Sequence, residues 1–138
     1  MKRFKIIVLL LGLIGAGFIL TGCKGEDTDV KKIRDLEFTV VEDADVPDAL
    51  METINEKKAH PFKLHYKNSD YLYIVVGYGE QPTGGYSVSV DELYLTSNAI
   101  YIDTNLIGPS QDEFVSNATT YPYVVVKTEF IDKPVVFN

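Results

Sequence analysis

Cys23 is the chain's one thiol, and it follows two small residues, Thr21 and Gly22, at the end of an uncharged apolar run from Ile6 to Leu20. With Lys2, Arg3 and Lys5 ahead of it, that 15-residue run is short for a membrane span and has the layout of a secretory signal. The other residues with reactive side chains form weaker constellations. His60 and His65 have no cysteine near them, which makes a poor metal set and a poor base system. The acidic stretch Glu42-Asp43-Ala44-Asp45-Val46-Pro47-Asp48 lacks the glycine and the later glutamate of a calcium loop. No Gly-x-Ser-x-Gly elbow, phosphate loop or dinucleotide fingerprint is present. No catalytic residue, metal site or cofactor is therefore expected, and the chain does not read as an enzyme.

The segment Leu20-Thr21-Gly22-Cys23 resembles the signal of bacterial lipoproteins. That resemblance implies removal of residues 1–22 and acylation of Cys23, which would hold the protein on the extracytoplasmic face of a cell membrane. Two acyl chains anchor stably, at about 0.8 kcal/mol per buried methylene. Loss of Lys2, Arg3 and Lys5 reduces the 13 basic residues to 10 against 20 acidic ones. Nucleic acid is an unsuitable partner for so acidic a chain, since its binding depends on lysine and arginine. With the thiol taken by lipid, no disulfide is available and stability must come from packing.

The elements that must position any site follow from patterning. Residues 23–34 read as the lipidated cysteine and a polar tether, and 35–138 as one domain. Leu36, Phe38 and Val40 alternate with polar positions, as do Phe62, Leu64 and Tyr66 with Lys63, His65 and Lys67, which predicts half-buried strands. Between them Pro47 to Lys58 predicts a helix, with Asp45 as N-cap and Ala49, Leu50 and Ile54 as its buried stripe. Tyr71 to Tyr78 and Tyr121 to Glu129 are apolar on both faces and predict central strands. Tyr86, Val88 and Val90 predict a further strand, and Ser97-Asn98 a hairpin turn between Leu93-Tyr94-Leu95 and Ile100-Tyr101-Ile102. Val135-Val136-Phe137 adds an edge. The fold class is α+β: mostly antiparallel β, curled or sandwich-like, with one packed helix.

The stretch from Gly77 to Tyr86 is the best site candidate. Pro82 and Thr83 suit the centre of a type I turn, and Gly84-Gly85 permits positive φ and leaves backbone amides bare for a partner. The candidate partner-binding residues are Gly79, Gln81, Pro82, Thr83, Gly84, Gly85 and Tyr86. Tyr78, Tyr86 and Tyr101 are candidate contact aromatics, while Tyr71, Tyr73, Tyr121 and Tyr123 are expected to edge the core.

The run Tyr71 to Gly77, the motif Gly79 to Val88, and Tyr121-Pro122-Tyr123-Val124-Val125-Val126-Lys127 together resemble the C-terminal domain of the protease complex subunit PrcB, over about Phe62 to Glu129. The resemblance implies a surface-exposed lipoprotein that associates with a secreted serine peptidase and supports its assembly or stability. It carries no catalytic residues. Pro82-Thr83-Gly84-Gly85-Tyr86 is also similar to the Asn-Pro-Thr-Thr-Gly-Tyr loop of chagasin-like cysteine peptidase inhibitors, which implies a loop wedged into a peptidase cleft. A small-ligand or cell-wall binding module, with a pocket lined by tyrosines, is the third reading.

Overall fold

Strand β4 (Tyr71–Tyr78) shows why two apolar layers form around one strand. Leu72, Ile74 and Val76 point to one side of its sheet, Tyr73 and Val75 to the other, and all five are buried. The computed structural model describes residues 31–138; the expected signal, Cys23 and most of the tether lie outside the described residues. The remaining elements are β1 (Lys32–Asp35), β2 (Phe38–Val40), α1 (Asp48–Lys57), β3 (Pro61–Lys67), β5 (Ser87–Thr96), β6 (Ile100–Ile107), β7 (Tyr123–Glu129) and β8 (Val135–Phe137).

Two open four-stranded sheets result, ordered β1-β5-β6-β8 and β2-β7-β4-β3. Every pairing is antiparallel except that of β6 with β8. Between the sheets lies one core, in which Leu72, Ile74, Val76, Val124 and Val126 meet Leu36, Leu93, Leu95, Ile100 and Ile102. A second core lies on the outer face of β4 and β7, where Leu50 and Ile54 of α1 cover Tyr73, Val75 and Val125. The expected mostly antiparallel α+β architecture is borne out as sheet on sheet with one helix outside.

Several local expectations are corrected. The chain joins a sheet at Lys32, within the stretch read as tether, because β1 pairs with the end of β5 although its side chains are all exposed. The predicted strand from Leu36 to Val40 is split: Leu36 turns into the core, while Phe38 and Val40 stand exposed on β2, an edge of the other sheet. Asp45 does not cap α1. It lies in a 3-10 turn at Asp43–Asp45, Pro47 occupies the cap position without a side-chain hydrogen bond, and Ala49 is exposed.

The segments predicted around Val88 and Leu93 form one strand, β5. Its register shifts between Val90 and Glu92, leaving Asp91 as an extra residue opposite β6. That insertion converts an even apolar phase, Val88 and Val90, into an odd one, Leu93 and Leu95, on the same face. The hairpin turn after it is held by Thr96, fully buried, whose hydroxyl accepts the Ala99 amide at 3.1 Å.

Candidate interaction surface

Residues 79–86 leave the end of β4, and the 15-residue connection 108–122 leaves the end of β6 at the same end of the sandwich. The two are stitched together. Gln81 and Thr120 exchange backbone hydrogen bonds of 2.8 and 3.0 Å, and the Thr120 hydroxyl donates to Thr83 O at 2.6 Å. The Gly84 amide donates to Ser116 O at 2.9 Å.

These bonds correct the expectation of bare amides and of a self-contained turn. Gln81 O is taken by Thr120 and Gly84 N by Ser116, so the neighbouring segment supplies the partners a type I turn would have supplied itself.

The two loop glycines with positive φ are Gly79 (φ 78°) and Gly85 (φ 87°); Gly84 is not one of them. A Cβ on Gly79 would come within 2.8 Å of Pro61 Cδ. A Cβ on Gly85 would meet Val115 Cγ1 at 2.6 Å and Pro109 Cβ at 2.9 Å. These glycines permit close packing of segments.

Of the seven expected contact residues, Pro82 and Gly85 are exposed. Gln81, Thr83, Gly84 and Tyr86 are half-buried, and Gly79 is buried. The tyrosines divide differently from the expectation as well. Tyr78 ties the sheets through a 2.6 Å hydrogen bond with Thr104, Tyr101 stacks on Tyr94 at 5.3 Å, and the Tyr86 ring lies against Gly108. Tyr73 and Tyr123 do edge the core, whereas Tyr71 and Tyr121 are exposed. Tyr123 donates a short hydrogen bond to Asp43. Burial, then that bond and the carboxylate charge, push its phenol well above the ordinary range.

His60 and His65 are exposed, before and on β3. Among the described residues, no group of three or more histidine, cysteine, aspartate or glutamate side chains is placed to hold a metal ion. No helix among them is long and apolar enough to cross a membrane. A separate open groove of about 550 Å³ runs past Arg34, Phe38, Tyr71, Lys127 and Glu129, and Arg34 pairs with Glu129 across it at 3.3 Å.

The connection 108–122 carries no catalytic or ligand-binding motif of its own. Its signal was length, since structureless connections of 12–15 residues in a small domain usually have a function. Phe114 stands fully exposed in it.

Fold and surface together define a small two-sheet β domain with an outer helix and one elaborated end. The family model described as PrcB C-terminal matches residues 72–129, so the resemblance read from the sequence is borne out. No curated protein and no solved structure matches the chain. The matched stretch holds the two inner strands of each sheet and both stitched loops, while β1, β2, α1, β3 and β8 lie outside it.

Proposed function

We propose that the chain is a lipid-anchored, extracytoplasmic accessory subunit, without catalysis of its own, that binds an exported peptidase through the end bearing residues 79–86 and 108–122. The observation that carries this reading is the family match, which includes both loops and the strands that hold them. Anchoring through Cys23 is supported by the apolar run and the small residues before it.

An inhibitor that wedges residues 82–86 into a cleft fits the geometry less well. That loop lies back on Ser116 and Thr120, with Pro82 and Gly85 as its exposed residues. The tyrosine-lined pocket of a small-ligand module also lacks support, because the tyrosines are spread over both sheets and several edges.

The test is crosslinking on intact cells, followed by purification of the lipoprotein and identification of its adducts. An exported peptidase, with activity unchanged or raised when purified mature protein is added, is the expected result. Loss of peptidase activity on titration would favour the inhibitor, and absence of any peptidase adduct would overturn the reading. Cys23→Ser should release the protein from membranes and abolish palmitate labelling; firm retention would remove the anchor.

A further inference from the structure

Phe114 is more exposed than any other large apolar side chain among the described residues, at 103 % of its reference accessibility. Its setting explains why it points out. The Glu113 amide donates to Ser110 O at 3.1 Å, and the Glu113 carboxylate accepts the Ser110 amide at 3.2 Å, which closes the turn just before it. Just after it, Val115 is seated against Gly85, and Ser116 O receives the Gly84 amide. With Glu113 tied into the turn before it and Val115 packed against Gly85, Phe114 is left over water on a braced segment. A ring presented this way loses little conformational freedom when it binds, and aromatic anchors dominate binding energy at protein interfaces.

The charge of the chain on either side of it is one-sided. From Lys67 to Lys127 no lysine or arginine intervenes, while Asp70, Glu80, Asp91, Glu92, Asp103, Asp112 and Glu113 all fall in that stretch. Asp112 and Glu113 directly precede Phe114. Lys58, at the neighbouring helix terminus, lies 5.9 Å from the Tyr121 ring centroid. An aromatic side chain that enters a lipid headgroup layer is normally accompanied by lysine or arginine, because those layers are anionic. Carboxylates at the same spot suit a cationic protein surface.

We infer that Phe114 is the anchor of the docking surface and inserts into an apolar pocket with a basic rim on a partner protein. This rests on the accessory-subunit reading for the partner's class, though not for the docking itself.

Full-length lipoprotein carrying the photocrosslinker p-benzoylphenylalanine at position 114 is irradiated in the cells that make it. Ile33, exposed on β1 at the other end of its sheet, carries the crosslinker in the control. The expected result is one exported protein captured at 114 and not at 33. Wild-type mature protein should compete for that capture, and Phe114→Ala should compete at least tenfold more weakly. Asp112→Asn with Glu113→Gln should make the capture less sensitive to salt.

A captured peptidase supports both proposals. A captured exported protein of another kind supports the docking and overturns the peptidase reading. Lipid adducts alone, or equal competition by Phe114→Ala, overturn the docking, and a peptidase crosslinked elsewhere would then leave the accessory role standing. No protein adduct at any position overturns both.

Discussion

Val115 occupies the space that a side chain on Gly85 would need: Cγ1 of Val115 lies 2.6 Å from where a Cβ would stand. The long connection between β6 and β7 is therefore seated on a residue that has no side chain and a left-handed backbone, φ 87°.

The neighbouring glycines should respond differently to substitution. Gly85→Ala adds a methyl in a left-handed conformation, a cost of roughly 1–2 kcal/mol before the clash with Val115 is counted. Gly84→Ala meets only ordinary contact, 3.5 Å to Ser116 Cβ. Denaturant unfolding should show Gly85→Ala to be the more damaging by about 2 kcal/mol, with faster amide exchange across residues 109–116. Equal effects would mean that the segment does not rest on Gly85.

Deleting Asp91 should be far worse than replacing it. Removal restores an unbroken ladder between β5 and β6 but puts Val88 and Val90 out of phase with Leu93 and Leu95, so one pair must face water. Turning out the buried leucines would cost about 3–6 kcal/mol, at roughly 1.5–3 kcal/mol each, and turning out the half-buried valines somewhat less. Asp91→Ala should change stability by less than about 0.5 kcal/mol, as exposed positions generally do. A stable deletion variant by circular dichroism would contradict the bulge.

The hydrogen bond between Tyr78 and Thr104 joins the two sheets next to the loops. Tyr78→Phe, Thr104→Val and the double variant should give a coupling of about 1 kcal/mol in a double-mutant cycle. Additive losses would show that the sheets are held at this end by packing alone.

Tyr123 sets a pH window. Its phenol is pushed above the ordinary value of 10.0 by burial, then by the bond to Asp43 and the charge of that carboxylate. A raised value in the folded state means that the unfolded chain loses this proton first. The stabilisation is complete below pH 10 and is lost as pH rises from there through the folded-state value. Tyr123→Phe should cost about 1 kcal/mol or less at pH 7, because the pair is partly exposed, and should flatten the decline in stability above pH 10. An unchanged alkaline slope would exclude the phenol as its source.

The strand positions were legible because the patterns that mark them are local. Runs such as Leu72 to Val76 and Val124 to Val126 are apolar at successive positions, and only a strand covered on both faces accommodates that. The helix was legible from Pro47 and the spacing of Leu50 and Ile54, yet its cap was not, since Pro47 holds that position and Asp45 is drawn into a separate turn. The glycine motif could be seen, but its purpose could not. Nothing local says that Gly84 N meets Ser116 O, or that Thr120 takes the carbonyl of Gln81.

From the sequence alone came the α+β class, the alternation of the strands, the family resemblance around the glycine motif and the acidic balance, all of which depend on residue type and short-range spacing. The tertiary structure decided which apolar residues are covered, which backbone amides are already bonded and which side chain is left over water. Phe38, Val40 and Phe114 look as buriable as Leu36 or Ile74 in one dimension. They differ because burial depends on what chain segment arrives opposite them, and contacts across 30 or more residues are set by the closing of the two sheets.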